Sequence, residues 1–468
     1  EIGSSAFSGS SLKEVVLPST LTQIGSSAFS GTQLKDITLP TSVTTIGSRA
    51  FGSIDSLSSV VIPKNLSDAY RAFEGSQHLK TIHFEEGITK IAGGLFKGSG
   101  ISSITIPKTV TEIGSEAFHN TRITELYIPD SVTKLGDNSF SFFDNYSNDL
   151  PSLTKVSLPS ELQSTSSPFY GQKNLKEVVL RGNWKTIPSG LFSGAGIEKL
   201  VIPEGVTEIG ADAFSGSSLK EVVLPKTLTK IGYSAFSGTQ LKDITLPTSV
   251  TTIGSRAFGS IDSLSSVVIP KNLSDAYRAF EGSQHLKTIH FEEGITKIAG
   301  GLFKGSGISS ITIPKTVTEI GSEAFHNTRI TELYIPDSVT KLGDNSFSFF
   351  DNYSNDLPSL TKVSLPSELQ STSSPFYGQK NLKEVVLRGN WKTIPSGLFS
   401  GAGIEKLVIP EGVTEIGADA FSGSSLKEVV LPKTLTKIGY SAFSGTQLTK
   451  LTLPEGVTEI GSSAFSGS

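Results

Sequence analysis

Apolar residues recur along this chain with a period of about 22 residues. Each repeat follows the pattern L-x-x-V-x-L-P-x-x-V-T-x-I-G-x-x-A-F-x-G, which is seen in Ser11–Thr32, Gln33–Asp55 and Ile197–Ser217. About 20 such units follow a partial unit at residues 1–10. A repeat of this length is typical of a solenoid, in which each unit packs on its neighbours.

Within a unit, the pattern predicts a strand and then a turn. Lys13–Leu17 is rich in β-branched residues and ends at Pro18, which cannot donate to a strand ladder. Because strand side chains alternate, Val15 is expected to point inward and Val16 outward. The alanine-phenylalanine pair that ends at Phe29 predicts a short helical or 3₁₀ turn.

One unit of this kind cannot bury its own apolar residues, but stacked units can. The strands would pair in parallel about 4.8 Å apart, and the phenylalanines would form a continuous spine. The sequence therefore predicts one continuous solenoid over residues 1–468. We expect a parallel β-sheet on one face and short turns, 3₁₀ or helical segments on the other.

A second, longer repeat lies on top of the first. Residues 27–241 are identical to residues 234–448, an offset of 207 residues. The decapeptide EIGSSAFSGS occurs at both ends, at Glu1–Ser10 and Glu459–Ser468. We interpret the chain as an interior slice of a longer array, a unit that stacks end to end, or an engineered tandem.

The repeat resembles the BspA-type leucine-rich repeat of bacterial and some protozoan surface proteins. The residues that carry the resemblance are the L-x-x-V-x-L-P strand, the V-T-x-I-G step and the A-F-x-G turn, as in Leu34–Gly52. The resemblance covers essentially the whole chain. It implies a leucine-rich-repeat solenoid at the cell surface or outside the cell, whose partners are host matrix proteins, other surface proteins or glycans.

Composition narrows the classes of function. The formal net charge is −4, so no general attraction to nucleic acid is expected. The chain contains no apolar run long enough for a membrane span. Cysteine and methionine are both absent, which excludes disulfides and thiolate chemistry and suits an exposed, extracellular protein.

Catalytic and metal-binding patterns are not found. The histidines His78, His83 and His119 and their copies lack metal-ligand spacing, and no nucleophile elbow or phosphate-binding loop occurs. We therefore predict no enzyme activity, no catalytic or metal site and no cofactor.

Candidate partner-binding residues come from two places. The outward row of the predicted sheet places a histidine and a tyrosine two units apart. Insertions at residues 141–151 and 348–358 interrupt the repeat with polar and aromatic residues. Such positions suit hot spots and binding loops. The candidates are His83, Tyr127, Asp144 and Tyr146, with their copies His290, Tyr334, Asp351 and Tyr353.

The sequence is compatible with two functions. The first is an adhesin-like binding protein that presents its open sheet face and inserted loops. The second is a structural fibre or coat element formed by end-to-end self-association, since uncapped solenoid ends expose strand edges and apolar core.

Overall fold

The computed structural model describes residues 1–143, 153–164, 166–350, 360–371 and 373–468. They form two units, Glu1–Leu228 with Ser234–Gln240, and Thr229–Tyr233 with Leu241–Ser468. Each unit is a parallel-strand β-solenoid with a repeat of about 22 residues, and about 19 turns are present in all. Both the fold class and the repeat length predicted from the sequence are confirmed. The continuity of one solenoid over residues 1–468 stays a prediction.

The first unit has two sets of parallel strands. The longer strands form three short sheets: Asp36–Thr38, Ser59–Ile62 and Thr81–Phe84; Glu125–Tyr127, Lys155–Leu158 and Glu177–Leu180; Lys199–Val201 and Glu221–Val223. The two-residue strands lie after the following bend: Gln23–Ile24 and Thr45–Ile46; Lys90–Ile91, Glu112–Ile113, Lys134–Leu135 and Gln163–Ser164; Thr186–Ile187 and Glu208–Ile209.

The second unit repeats this arrangement. Its longer strands are Asp243–Thr245, Ser266–Ile269 and Thr288–Phe291; Glu332–Tyr334, Lys362–Leu365 and Glu384–Leu387; Lys406–Val408 and Glu428–Val430. Its two-residue strands are Lys230–Ile231 and Thr252–Ile253; Lys297–Ile298, Glu319–Ile320, Lys341–Leu342 and Gln370–Ser371; Thr393–Ile394, Glu415–Ile416, Lys437–Ile438 and Glu459–Ile460.

The sheet is less continuous than the pattern predicts. Lys13–Leu17 was expected to be a strand but forms none, although Val16 does point outward, with 96% of its surface exposed. Residues 101–107 also form no strand with the turns on either side. The long face of the first unit is therefore a row of separate two- and three-stranded sheets.

A stack of phenylalanine rings fills the interior of each unit. In the first unit it runs through Phe29, Phe51, Phe73, Phe96 and Phe118, with ring centroids 5.3 to 5.6 Å apart and every ring at most 1% exposed. Parallel pairing in register places each ring over its equivalent in the previous turn. The predicted spine is confirmed within each unit.

The side opposite the long strands consists of turns, and no helix occurs among the described residues. Of the alternatives predicted for this side, the short turns are therefore confirmed and the helical or 3₁₀ segments are not. The reason lies in the backbone N–H groups. Those of Ser27 and Phe29 donate to carbonyls of the next turn, at Ser48 and Ala50, whereas that of Ala28 between them donates three residues back, to Gly25. A helix needs all these donors within its own segment.

Left-handed residues also interrupt any helix on this side. Ser27 has φ of 54° and Gly31 has φ of 66°. The first of these positions is left-handed in turn after turn, occupied by Arg49, Arg71 and Glu116 as well as by serine. Each such residue reverses the local direction of the chain, so the segment closes into a turn.

The glycine of the I-G step is required for close packing. A glycine such as Gly25 in this step can serve either a positive φ or tight packing. At its equivalent Gly47, an added Cβ would lie 2.3 Å from the backbone nitrogen of Ser26 in the previous turn. Successive turns touch through their backbones here, and only glycine leaves room.

Replacing Gly47 with alanine should destabilise the first unit by about 1–3 kcal/mol, because the methyl group meets backbone that cannot move aside. Urea denaturation would measure the loss. The matched control is Gly3→Ala at the same repeat position, where an added Cβ has no atom within 4 Å. Equal losses for the two variants would contradict the packing explanation.

Replacing Phe118 with alanine should cost about 3–5 kcal/mol, since the ring is 1% exposed and its removal leaves a cavity between two stacked rings. Phe7 is the control: it is 40% exposed and stacks on Phe29 with centroids 5.0 Å apart. Phe7→Ala should cost about 1 kcal/mol by the smaller area buried. A Phe118 loss no larger than this would argue against the stack as the source of stability.

Candidate functional site

The outward side of the long strands is defined here as the open sheet face of each unit. In Lys155–Leu158 the side chains of Val156 and Leu158 are buried, while those of Lys155 and Ser157 lie outside. The parallel register aligns Ser157 with Tyr127 on one side and with Val179 on the other. Equivalent positions in neighbouring turns therefore form straight rows across this face.

Tyr127 lies on the open sheet face, as predicted, and 57% of its surface is exposed. Its ring is covered on one side by Arg181, whose guanidinium carbon is 4.1 Å from the ring centroid. This is the geometry of a cation–π contact. The tyrosine is therefore one half of a fixed pair.

Arg181 is fixed in turn by three hydrogen bonds. It donates from Nη1 to Ser157 Oγ at 2.6 Å and from Nη2 to Asp130 Oδ1 at 2.8 Å. It also donates from Nη2 to the carbonyl of Ile128. The arginine thus reaches across two turns and locks the tyrosine ring in one orientation.

Sequence reasoning missed Arg181, although the sequence carried a signal for it. Most units end their strand with Leu-Pro or Ile-Pro, whereas this one has Leu-Arg at Leu180-Arg181. The second unit repeats the arrangement: Arg388 lies 4.1 Å from the Tyr334 ring and donates to Ser364 at 2.7 Å and Asp337 at 2.8 Å.

His83 is exposed, but it lies in a different sheet from Tyr127. Its strand, Thr81–Phe84, pairs with Ser59–Ile62, and residues 101–107 lie between it and the sheet of Tyr127 without forming a strand. His290 is likewise exposed in Thr288–Phe291, apart from the sheet of Tyr334. The described strands do not bring histidine and tyrosine onto one sheet.

The inserted candidates Asp144, Tyr146, Asp351 and Tyr353 lie outside the described residues, so their role stays a prediction. The structure does describe the start of the first insertion. Asn120 Oδ1 accepts from the Phe143 backbone N–H at 2.8 Å, and Gln172 Nε2 donates to the Phe140 carbonyl at 2.8 Å.

A strip of exposed valines lies beside the Tyr127–Arg181 pair. Val179, Val201 and Val223 occupy the same outward position in successive turns, with 38%, 67% and 59% of their surfaces exposed. This set is called the valine strip; its copy is Val386, Val408 and Val430. Exposed apolar side chains at the same position of successive turns are typical of an interaction surface.

A row of alternating charges runs alongside the valine strip. It runs through Glu125, Lys155, Glu177, Lys199 and Glu221 and is called the charge ladder; its copy is Glu332, Lys362, Glu384, Lys406 and Glu428. Lys155 Nζ lies 2.7 Å from a carboxylate oxygen of Glu177, and Lys199 Nζ lies 2.9 Å from one of Glu221. All four side chains are well exposed, so these ion pairs contribute little to stability.

One irregular unit builds a polar cluster on the turn side. Tyr70 is seated on Gly94, where an added Cβ would lie 2.4 Å from the ring. Lys97 Nζ donates to the Tyr70 hydroxyl at 2.9 Å and lies 2.7 Å from Glu116. The buried lysine holds the ring in place. The Gly93-Gly94 pair is therefore explained by the packing of this ring.

His119 is buried on the turn side, close to the start of the insertion. Its Nδ1 lies 2.6 Å from Ser141 Oγ, and its ring centroid is 5.2 Å from that of Phe143. Burial, with a smaller contribution from the nearby Lys97, lowers the pKa of His119 to about 4. His326 has the same surroundings, and its pKa is also lowered to about 4. Both histidines are neutral at physiological pH.

Among the residues that the structure describes, no three histidine, aspartate or glutamate side chains are grouped so that they would hold a metal ion. In the same part of the chain, no helix is long and apolar enough to cross a membrane. The open sheet face can therefore contact a partner through aromatic stacking, charged side chains and apolar side chains.

The model of the BspA type leucine rich repeat region matches this chain in six copies, at residues 1–71, 69–196, 144–258, 185–306, 229–354 and 351–468. No curated protein sequence matches it.

Solved structures similar to this chain include three from bacteria. A leucine-rich repeat protein from Bacteroides ovatus is 20% identical, with 91% of each chain covered and a TM-score of 0.37. A leucine rich cell surface protein from Faecalibacterium prausnitzii is 23% identical over 93% of this chain and 91% of its own, with a TM-score of 0.24. The pneumococcal vaccine antigen PcpA is 16% identical over 85% and 89%, with a TM-score of 0.29.

The buried histidines should make the protein less stable in mild acid. The pKa of each histidine in the folded chain lies below the ordinary value of 6.5. In mild acid the unfolded chain therefore binds more protons than the folded chain, which favours unfolding. Stability is therefore complete above pH 6.5 and falls toward pH 4. Urea denaturation at pH 7 and pH 5 should differ by about 1–2 kcal/mol for each histidine.

Replacing His119 and His326 with glutamine should remove that part of the pH dependence, whatever the two substitutions do to stability at pH 7. The control replaces the exposed histidines His83 and His290 with glutamine. If the control flattens the pH dependence as much as the test variant does, the buried pair is not its source.

Proposed function

We propose that this chain, which belongs to the BspA-type leucine-rich repeat family, is an extracellular or cell-surface binding protein of the adhesin kind. Its partners would be matrix proteins, other surface proteins or glycans, held on the open sheet face of each unit. The observation that carries the proposal is the Tyr127–Arg181 pair, an exposed aromatic ring held rigidly on a parallel sheet.

Rigidity is what makes this pair suited to binding. Tyrosine and arginine are enriched at interface hot spots, and binding is weakened when side chains must be ordered on contact. Here the ring and the guanidinium are already ordered by Ser157 and Asp130. A partner that stacks on the exposed side of the ring would lose little conformational entropy.

The duplication supports a role in attachment. Tyr334 and Arg388 repeat the pair in the second unit with the same 4.1 Å separation. Two copies of one surface in a single chain allow two contacts to a partner that is itself repetitive, such as a matrix protein, a glycan or a cell surface. The insertions at 141–151 and 348–358 remain part of the proposal as additional contacts.

The test is binding of the purified chain to immobilised matrix proteins and to an array of glycans. Replacing both Tyr127 and Tyr334 with alanine should weaken binding at least about tenfold, as expected for a hot-spot ring. The matched control replaces Tyr233 and Tyr440, which are 52% and 57% exposed and lie away from the long strands. Unchanged affinity of the Tyr127/Tyr334 variant would exclude this patch.

Arginine variants refine the same experiment. Arg181→Lys with Arg388→Lys keeps the positive charge but removes the planar group that stacks on tyrosine. We expect an intermediate loss of affinity, because the ring stays exposed but is no longer held. A separate variant with alanine at Tyr146 and Tyr353 would measure what the insertions contribute.

A further inference from the structure

A polar groove lies on the turn side of each unit, beside one exposed tyrosine. Its volume is about 430 Å³ in the first unit and about 450 Å³ in the second. Both values lie within the roughly 300–1,000 Å³ of ligand-binding clefts. The residues that form the first groove include Asp68, Tyr70, Gly93, Ser115, Asp137 and Asn138, and the copies of these residues form the second.

The groove is formed where two successive units depart from the repeat. The first has Tyr70 at the position where most units have the glycine of the I-G step, and it is one residue shorter between this position and the phenylalanine. Gly93, Ser115 and Asp137 follow in the next three turns. The first two of these are small, so the space beside the tyrosine ring stays open as far as Asp137.

The ring of Tyr70 is held in one position although 43% of the residue's surface is exposed. Its hydroxyl accepts a hydrogen bond from Lys97 Nζ at 2.9 Å and donates one to Glu116. Only 11% of the Lys97 side chain is exposed, and burying a charge costs free energy even when it is paired. The repeat itself needs no ring at this position. A buried ion pair that orients an exposed ring is therefore typical of a preorganised binding site.

We propose that this groove binds a neutral sugar residue of a glycan, with the pyranose ring packed against Tyr70. The C–H groups of a pyranose form an apolar face that fits the body of an aromatic side chain. The hydroxyl groups around that face donate hydrogen bonds to the carboxylates of Asp68 and Asp137, each of which has about four acceptor sites. The amide of Asn138 both donates and accepts, which suits a hydroxyl group.

The charges around the groove favour a neutral ligand over a charged one. Lys97 Nζ lies 5.1 Å from the centroid of the Tyr70 ring, and the guanidinium carbon of Arg71 lies 5.3 Å from it. These two cations already make the cation–π contacts of the ring, so a lysine or arginine of a protein partner would be repelled. Asp68 and Asp137 would repel a sulfated or carboxylated sugar in the same way. A neutral sugar avoids both penalties.

The second groove has the same construction. Tyr277 is 43% exposed, and its ring centroid lies 5.0 Å from Lys304 Nζ and 5.5 Å from the guanidinium carbon of Arg278. Two equal sites in one chain strengthen binding to a glycan that presents many copies of its sugar. Both grooves are on the turn side, whereas the proposed function concerns the open sheet face. The inference therefore does not depend on the proposed function.

The experiment is isothermal titration calorimetry of the full chain with neutral tetrasaccharides of glucose, galactose, mannose and N-acetylglucosamine. Tetragalacturonate and tetralysine serve as the charged probes. At least one neutral tetrasaccharide should bind at millimolar concentration or below, and both charged probes should bind at least about tenfold more weakly. Failure of all the neutral tetrasaccharides to bind, or tighter binding of either charged probe, would overturn the proposal.

Variants locate the bound sugar. Tyr70→Ala with Tyr277→Ala should weaken binding of the neutral tetrasaccharide at least about tenfold. Tyr70→Phe with Tyr277→Phe keeps the ring but removes its bond to lysine, so the loss should be smaller. The matched control is Tyr233→Ala with Tyr440→Ala. These two tyrosines are also exposed on the turn side but do not line either groove, so the affinity should stay unchanged.

Far-UV circular dichroism checks that every variant is folded. Full affinity of the Tyr70/Tyr277 alanine variant, or an equal loss in the control, would show that the sugar is not held in these grooves. A third variant, with alanine at Tyr127 and Tyr334, separates this inference from the proposed function. If that variant loses the sugar while the Tyr70/Tyr277 variant keeps it, the open sheet face is the binding site, and only the inference about the grooves fails.

Discussion

Backbone hydrogen bonds between successive turns are the constraint on which the rest of this structure depends. On the turn side, alternate N–H groups such as those of Ser27 and Phe29 donate to the next turn, and on the strand side the ladders do the same. The residues that take part in these hydrogen bonds are thereby held over their equivalents in the previous turn. Phenylalanine must stack on phenylalanine, glycine must lie on glycine, and the repeat length can change only where the extra residues leave the stack.

The irregular units show how this constraint absorbs change. The unit that contains the first insertion still donates from Phe140 and Phe142 to the next turn, at Pro168 and Tyr170. The cost is visible at Phe169, where ring separations widen to 6.0 and 6.2 Å. In the unit of Tyr70 a bulky ring replaces the small residues of the I-G step, and Gly94 in the following turn provides the space. A departure from the pattern in one turn is thus compensated in the next.

Because the backbone and the core hold the turns together, the outward side chains of the long strands are not needed for the fold. They are aligned in rows by the register but contribute little to the core, so their identity is open to selection for contacts. The Tyr127–Arg181 pair lies directly beyond Ser157, at one end of the surface formed by the charge ladder and the valine strip.

The sequence by itself determined the repeat, the parallel strands, the interior phenylalanines and the outward position of Tyr127. These follow from periodicity, because a residue that recurs every 22 positions must meet the same surroundings in every turn. The sequence also marked Arg181 as an exception at a proline position, but it did not show what the arginine contacts. Tyr127 and Arg181 are 54 residues apart, and no local pattern relates them.

Only the tertiary structure decided the features that depend on contacts between turns. The expected helical segments became turns because half of their donors bind the neighbouring turn, which propensity within one unit does not reveal. The glycine of the I-G step is required by backbone packing rather than by its own φ. Arg181 covers Tyr127, and Tyr70 packs against Gly94, because stacking brings these residues together. His83 and Tyr127 lie in separate sheets because the residues between their strands do not pair. Sequence fixes which residues recur; the stack determines which of them touch, because its hydrogen bonds set the distance and register between one turn and the next.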